Sequence, residues 1–164
     1  HDLTRPGIAL YGGRALANGT NPMRPVVTLE GRIVQLRQAK AGSTVSYGAT
    51  HILTRDSKLA VVSVGYADGY PRAASGSGVP LRSAIGLGAH GCISGHKVPL
   101  VGRVTMDLMC FDVTDVPDNA LSGAWLELIG PNISVDDVAD ASGTIGYEIL
   151  TSLGRRFARS YRHA

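Results

Sequence analysis

Five short stretches of this chain place residues capable of chemistry beside glycines. They are RPGIALYG (5–12), VSYGATH (45–51), VGYADGYPRA (64–73), VPLVGRVTMD (98–107) and TIGYEILTSLGRR (144–156). The residue types are tyrosine, arginine and one Met-Asp pair. A tyrosine such as Tyr47 is either a packing residue with a polar tip or an acid or base. The second role requires surroundings that bring a pKa near ~10 toward the working pH.

Taken one at a time, each stretch has a structural explanation. Asp68-Gly69 is a strong turn pair, and Arg72 reads as a surface arginine. Tyr147 stands at the start of a helix, where it can cap the core. Asp107 reads as a bulge residue that bonds nearby backbone N–H groups. His51, His90 and His96 have no acid or cysteine at useful spacing, so they read as solvated or core histidines and no metal site is expected. Lys40, Lys58 and Lys97 sit in turn-like or polar contexts, not in the desolvated or cationic setting that a Schiff-base lysine needs. GxSxG, HExxH and P-loop patterns are absent. The residues alone describe a β-rich domain presenting several tyrosines on glycine-framed loops, which is half of a site.

The elements that must position these residues are mostly strands. VVTLEGRIVQLRQ (26–38) alternates loosely, with a bulge or bend expected at Gly31. KAGS (40–43) is a turn and TVSYGATHIL (44–53) reads as a second strand. LAVVSV (59–64) is a continuous apolar run, as in a buried strand. Residues 72–95 are glycine-rich and read as irregular, with short strands at most. Residues 96–114 hold two strands broken at Gly102 or near Met106–Asp107, and AWLELIG (124–130) is a further strand. Helix signals appear only near the end: Ser134 as an N-cap with acids following, and apolar spacing at Ile145, Ile149 and Leu153. The fold class expected is mainly β, a closed or nearly closed barrel or a sandwich, and of these a Greek-key-like β-barrel with one or two short C-terminal helices.

Composition agrees with a globular chain. Of 164 residues, 44% are hydrophobic and 18% charged. The net charge of +3 is scattered and aromatics are only 5%, which argues against a nucleic-acid surface. The basic cluster from Arg155 to His163 reads as a solvated last segment. No apolar run reaches the ~18 residues that span a bilayer, and the first ten residues lack the pattern of a signal peptide. Cys92 and Cys110 have no CxxC spacing, and Cys110 reads as a small buried hydrophobe. A reduced, cytoplasmic chain is expected. The start at HDLTRPG, without Met, suggests a piece of a longer protein.

The five stretches, in this order and spacing, resemble the C-terminal domain of bacterial alanine racemase over nearly the whole chain. The resemblance implies a pyridoxal-phosphate enzyme with an N-terminal (β/α)8 barrel. Residues 1–20 would be the end of that barrel and a linker, and 21–164 the second domain. Tyr47 matches the catalytic tyrosine that exchanges the α-proton of alanine on one face. A barrel lysine, not in this chain, serves the other face and holds the cofactor as a Schiff base. Arg5 matches the arginine facing the pyridine nitrogen. Gly7, Ile8 and Tyr147 match the groups that bind the cofactor phosphate, and Met106 the residue whose backbone N–H meets the substrate carboxylate. Tyr66, Arg72, Asp107 and Ile145 match a narrow entrance. The family's homodimer shares its sites, so Tyr47 and Met106 would serve the partner's cofactor. The implied activity interconverts L- and D-alanine, which supplies D-alanine for peptidoglycan.

The chain departs from the family pattern in lacking the cofactor lysine, so the isolated chain is expected to be inactive. Its segment before GRVTMD is also longer and more glycine-rich than the resemblance leads one to expect. A racemase of other amino-acid specificity, and a non-catalytic β-barrel binding module, are the competing readings.

Overall fold

The computed structural model describes residues 2–16, 19–121, 123 and 125–162. Among these residues eight strands are present: β1 (Leu29–Ala39), β2 (Thr44–Val45), β3 (His51–Ile52), β4 (Ser57–Val62), β5 (His90–Ile93), β6 (His96–Val101), β7 (Met109–Asp112) and β8 (Trp125–Ile129). Six of them close a barrel in the order β1-β4-β7-β6-β5-β8, and β8 returns to pair with β1. Every pairing is antiparallel. Strands β5, β6 and β7 lie side by side and β8 comes back beside β5, which is a Greek-key arrangement. The expected mainly β barrel is therefore the observed fold.

Closure depends on β1 serving two neighbours. Its first residues, Leu29–Arg32, pair with β8, and Ile33–Ala39 pair with β4. Register slips fall between Leu29 and Glu30 and between Ile33 and Gln35, so the irregularity flanks Gly31 and does not coincide with it. The glycine has a packing reason instead. A Cβ there would lie under 3.0 Å from a Val62 methyl and 2.9 Å from a Val64 methyl. Inside the barrel, Val62, Leu100, Met109, Phe111, Leu126 and Leu128 are buried. Strand β7 shows why: Met109 and Phe111 point in, while Cys110 and Asp112 alternate out and are half-buried.

Cys110 is thus not inside the barrel. It packs against a second, smaller cluster of Val45, Leu53, Leu59 and Val101, outside the barrel wall. That cluster seats residues 44–53, which are not one strand. Strands β2 and β3 pair with each other as a minimal hairpin, with the turn Tyr47–Ala49 between them. The reversal comes from three positive-φ backbones within four residues, Ser46 (φ 67), Gly48 (φ 76) and Ala49 (φ 48), which interrupt the extended path.

Among the described residues there are three α-helices: α1 (Leu81–Ile85), α2 (Val135–Ser142) and α3 (Gly146–Ser152). The Ser134 cap is present. Its Oγ accepts the Asp137 N–H at 3.0 Å, and the Asp137 carboxylate accepts the Ser134 N–H at 2.8 Å. Helix α1 lies within the segment read as irregular, and its five residues are too short to show a helical period. Tertiary contact holds it: Arg82 donates to the Ala73 carbonyl at 3.1 Å and also to the Ala141 carbonyl at the end of α2. The last segment is not simply solvated either. Arg159 donates to the Leu153 and Gly154 carbonyls at 3.3 and 3.2 Å, and Arg156 is paired with two aspartates. His163, the end of the basic cluster, and Ala124, the first residue of the expected last strand, lie outside the described residues. Among the described residues no helix is long and apolar enough to cross a membrane.

Candidate active site

Tyr47 stands at the tip of the β2–β3 hairpin with 74% of its surface exposed. Its base is fixed to the barrel. The Ser46 hydroxyl donates to the Arg103 carbonyl at 3.0 Å, and the Arg103 guanidinium donates through Nε to the Gly78 carbonyl at 3.0 Å. The same guanidinium lies against Gly48, where a Cβ would come within 3.0 Å of a terminal nitrogen. A rigid turn thus holds a phenol out from the surface, as a proton carrier for a group outside this chain requires.

Tyr66 and Met106 are brought together. The Tyr66 N–H donates to the Thr105 carbonyl at 3.0 Å, and the Ala67 N–H donates to the Met106 carbonyl at 2.9 Å. The Thr105–Met106 peptide is trans, as are all others described. Its carbonyl points at Tyr66, so the Met106 N–H points the opposite way, off the turn. The Asp107 carboxylate does not bond backbone N–H groups as expected; it accepts from Arg156 at 2.8 Å. Buried Asp68 accepts the Gly65 N–H at 2.8 Å and completes the turn.

A third group forms where the N-terminal segment meets α3. The single turn Ile8–Tyr11 ends at Gly12 (φ 84), and Ile8 is buried. The Ile8 N–H donates to the Tyr147 hydroxyl at 2.8 Å, which leaves the phenolic proton free to be donated outward. Tyr147 therefore does not cap the core; half of it is exposed. Gly7 permits this approach, since a Cβ there would lie under 3.0 Å from the hydroxyl oxygen. Asp136 and Asp140 are nearby but engaged: Arg14 donates its N–H to Asp136 at 2.7 Å and its guanidinium to Asp140 at 3.3 Å. A corner of backbone and hydroxyl donors, with its carboxylates already paired, fits a phosphate oxygen. Ile145 precedes α3 and is exposed beside this corner.

The sequence model described as "Alanine racemase, C-terminal domain" matches residues 26–161. The chain belongs to the alanine racemase C-terminal domain family. It is 62% identical over 161 residues to the biosynthetic alanine racemase of Agrobacterium fabrum, covering 98% of this chain and 41% of that protein. It is 59% identical to the alanine racemase of Rhizobium meliloti, covering 98% and 42%. Among solved structures it is similar to the biosynthetic alanine racemase of Pseudomonas aeruginosa, with a TM-score of 0.83 and 39% identity over 97% of this chain and 42% of that one. The alanine racemase of Bartonella henselae, solved with covalently bound pyridoxal phosphate, gives 0.82 and 40% over 96% and 41%. The chain thus spans about two fifths of the length of the relatives it matches.

Within this alanine racemase C-terminal domain the expected residues form separate groups. Tyr47, Tyr66 and Tyr147 share no hydrogen bond among the described residues, and Arg5 and Arg72 are exposed. The lysines stand apart from all three groups. Lys40 pairs with Asp56 at 2.7 Å, and that hydrogen bond raises its pKa, so it stays a protonated amine. Lys58 pairs with Asp118, and Lys97 is exposed on β6. The sequence gives no reading for Arg103 or Arg156 individually, and reads Asp68 only as a turn residue, although all three organise these groups. Arg103 follows Gly102 (φ 74) inside the VPLVGRVTMD stretch, and that glycine is the one local signal available.

Proposed function

We propose that this chain is the C-terminal part of an alanine racemase that interconverts L- and D-alanine with pyridoxal phosphate in the cytoplasm, supplying D-alanine for peptidoglycan. Residues 1–20 close a preceding barrel domain that carries the cofactor lysine, and the chain acts within a homodimer whose sites are shared. The exposed phenol of Tyr47, held out on a fixed hairpin, carries this reading.

When bound, pyridoxal phosphate supplies the electron sink that makes the α-proton of alanine acidic. Everything else asked of this chain is binding and proton transfer. Tyr47 moves the α-proton on one face, opposite a barrel group on the other. Two bases are needed because one base returning its own proton would preserve configuration. A cationic neighbour contributed by the barrel would ready the phenol for this. Tyr147, Gly7 and Ile8 would hold the phosphate, with the phenolic proton as donor. Arg5 would face the ring nitrogen and, always charged and only a donor, would keep that nitrogen unprotonated. The Met106 N–H receives the substrate carboxylate. Tyr66, Arg72, Asp107 and Ile145 narrow the entrance. A chain offering one base and no lysine at the site is inactive by itself.

The test uses the full-length protein with cofactor. Exchange of the α-proton is followed for each alanine enantiomer in deuterated water, for wild type and Tyr47→Phe. Loss of exchange from one enantiomer far more than from the other is expected. Equal exchange with wild type would make Tyr47 a packing residue. Activity on another amino acid in place of alanine would move the reading to a racemase of other specificity.

A further inference from the structure

We propose that Arg156 is a positioning residue for substrate binding, clamping the turn that carries Met106 to the entrance turn 65–69; this rests on the reading of Met106 given above. The guanidinium engages two carboxylates from different turns. Its Nε lies 3.2 Å from one Asp68 oxygen and its terminal nitrogen donates to Asp107 at 2.8 Å. The Asp68 side chain is only 11% exposed, and its other oxygen accepts the Gly65 N–H at 2.8 Å. Asp107 immediately follows Met106.

Three segments meet at this point. The entrance turn donates the Tyr66 and Ala67 N–H groups to the Thr105 and Met106 carbonyls. The chain after α3 joins them, since the Gly154 N–H donates to the Asp68 carbonyl and the Ser152 hydroxyl to the Gly69 carbonyl, both at 2.8 Å. These bonds fix one carbonyl on each side of the Met106 N–H. What they leave is electrostatic: two carboxylates on neighbouring turns repel unless a cation lies between them. The planar, forked guanidinium meets both at once, which a lysine ammonium does less well. Without it the turn that aims the Met106 N–H can rock away from turn 65–69. Carboxylate binding then weakens alike in ground state and transition state.

The experiment uses the full-length protein with cofactor, in the variants Arg156→Gln, Arg156→Lys, Asp107→Asn and Arg156→Gln with Asp107→Asn. Two quantities are read: kcat and KM for alanine, and amide hydrogen exchange over residues 65–69 and 104–108. Arg156→Gln should raise KM about tenfold while kcat changes less than about threefold, the signature of lost uniform binding. Exchange should quicken in both turns. Arg156→Lys should recover part of each effect, and adding Asp107→Asn to Arg156→Gln should raise KM no further than the larger single change. Unchanged exchange in the two turns overturns the clamp, and so does a KM effect that adds to that of Asp107→Asn. If Arg156→Gln fails to fold, the exchange of Arg156→Lys decides. If wild type does not racemise alanine, the functional reading falls, while the exchange data still judge the clamp.

Discussion

Adding one methyl group at Gly7 probes the corner where the N-terminal segment meets α3. An alanine Cβ would lie under 3.0 Å from the Tyr147 hydroxyl oxygen but 3.2 Å from the ring carbon that bears it. Nearly all of the conflict is thus with a single atom. Gly7→Ala should cost about 1–3 kcal/mol as overpacking. Tyr147→Phe removes that oxygen and the 2.8 Å bond from the Ile8 N–H, at about 1 kcal/mol. In the double variant the clashing atom is gone, so its cost should stay near that of Tyr147→Phe alone. The coupling is then about 1–3 kcal/mol of relief, within the range for contacting residues. Any backbone cost of alanine at Gly7 (φ −105, ψ −125) is common to both alanine variants and cancels. Urea unfolding of the four proteins, compared at equal m values, measures the cycle. Simple addition of the two penalties would mean that the glycine is not there to admit the hydroxyl, and the phosphate corner would lose its rationale.

Gly31→Val should destabilise the barrel by more than about 2 kcal/mol in the same urea assay, because new atoms must displace the Val62 and Val64 methyls and Leu128 in a closed core. His90 should make stability fall with acid. Burial, and secondarily the Lys97 charge, hold its pKa below the ordinary 6.5, so the unfolded chain takes up the proton first and stability is lost as pH falls from about neutrality through the folded pKa. A denaturant midpoint that falls as steeply in His90→Gln as in wild type between pH 7.5 and 5.5, on the order of that titration window, would refute this.

Much of the barrel was legible because strand signals are local. Alternation in β7 and the apolar run in β4 report burial within a few residues, and Ser134 announces α2 through an acid three positions on. The misreadings share a cause. Residues 44–53 carry strand-like composition, and only the positive φ of Ser46, Gly48 and Ala49 turns them into a hairpin. Non-glycine residues give no sequence sign of such a backbone. Helix α1 is held by Arg82 reaching the end of α2, 59 residues away, and not by its own pattern.

By itself the sequence determined the family, through five ordered motifs, and most of the strand inventory, through side-chain period and turn residues. It also named Tyr47, Met106 and Tyr147 as residues of interest. Only the tertiary structure decided what those residues touch. Ile8 meets Tyr147 across 139 residues, Ser46 meets Arg103 across 57, and Arg156 meets Asp107 across 49. Periodicity encodes which face a residue takes within one element. The pairing of polar groups on separate turns is set by barrel closure, which brings loop ends together irrespective of their distance along the chain.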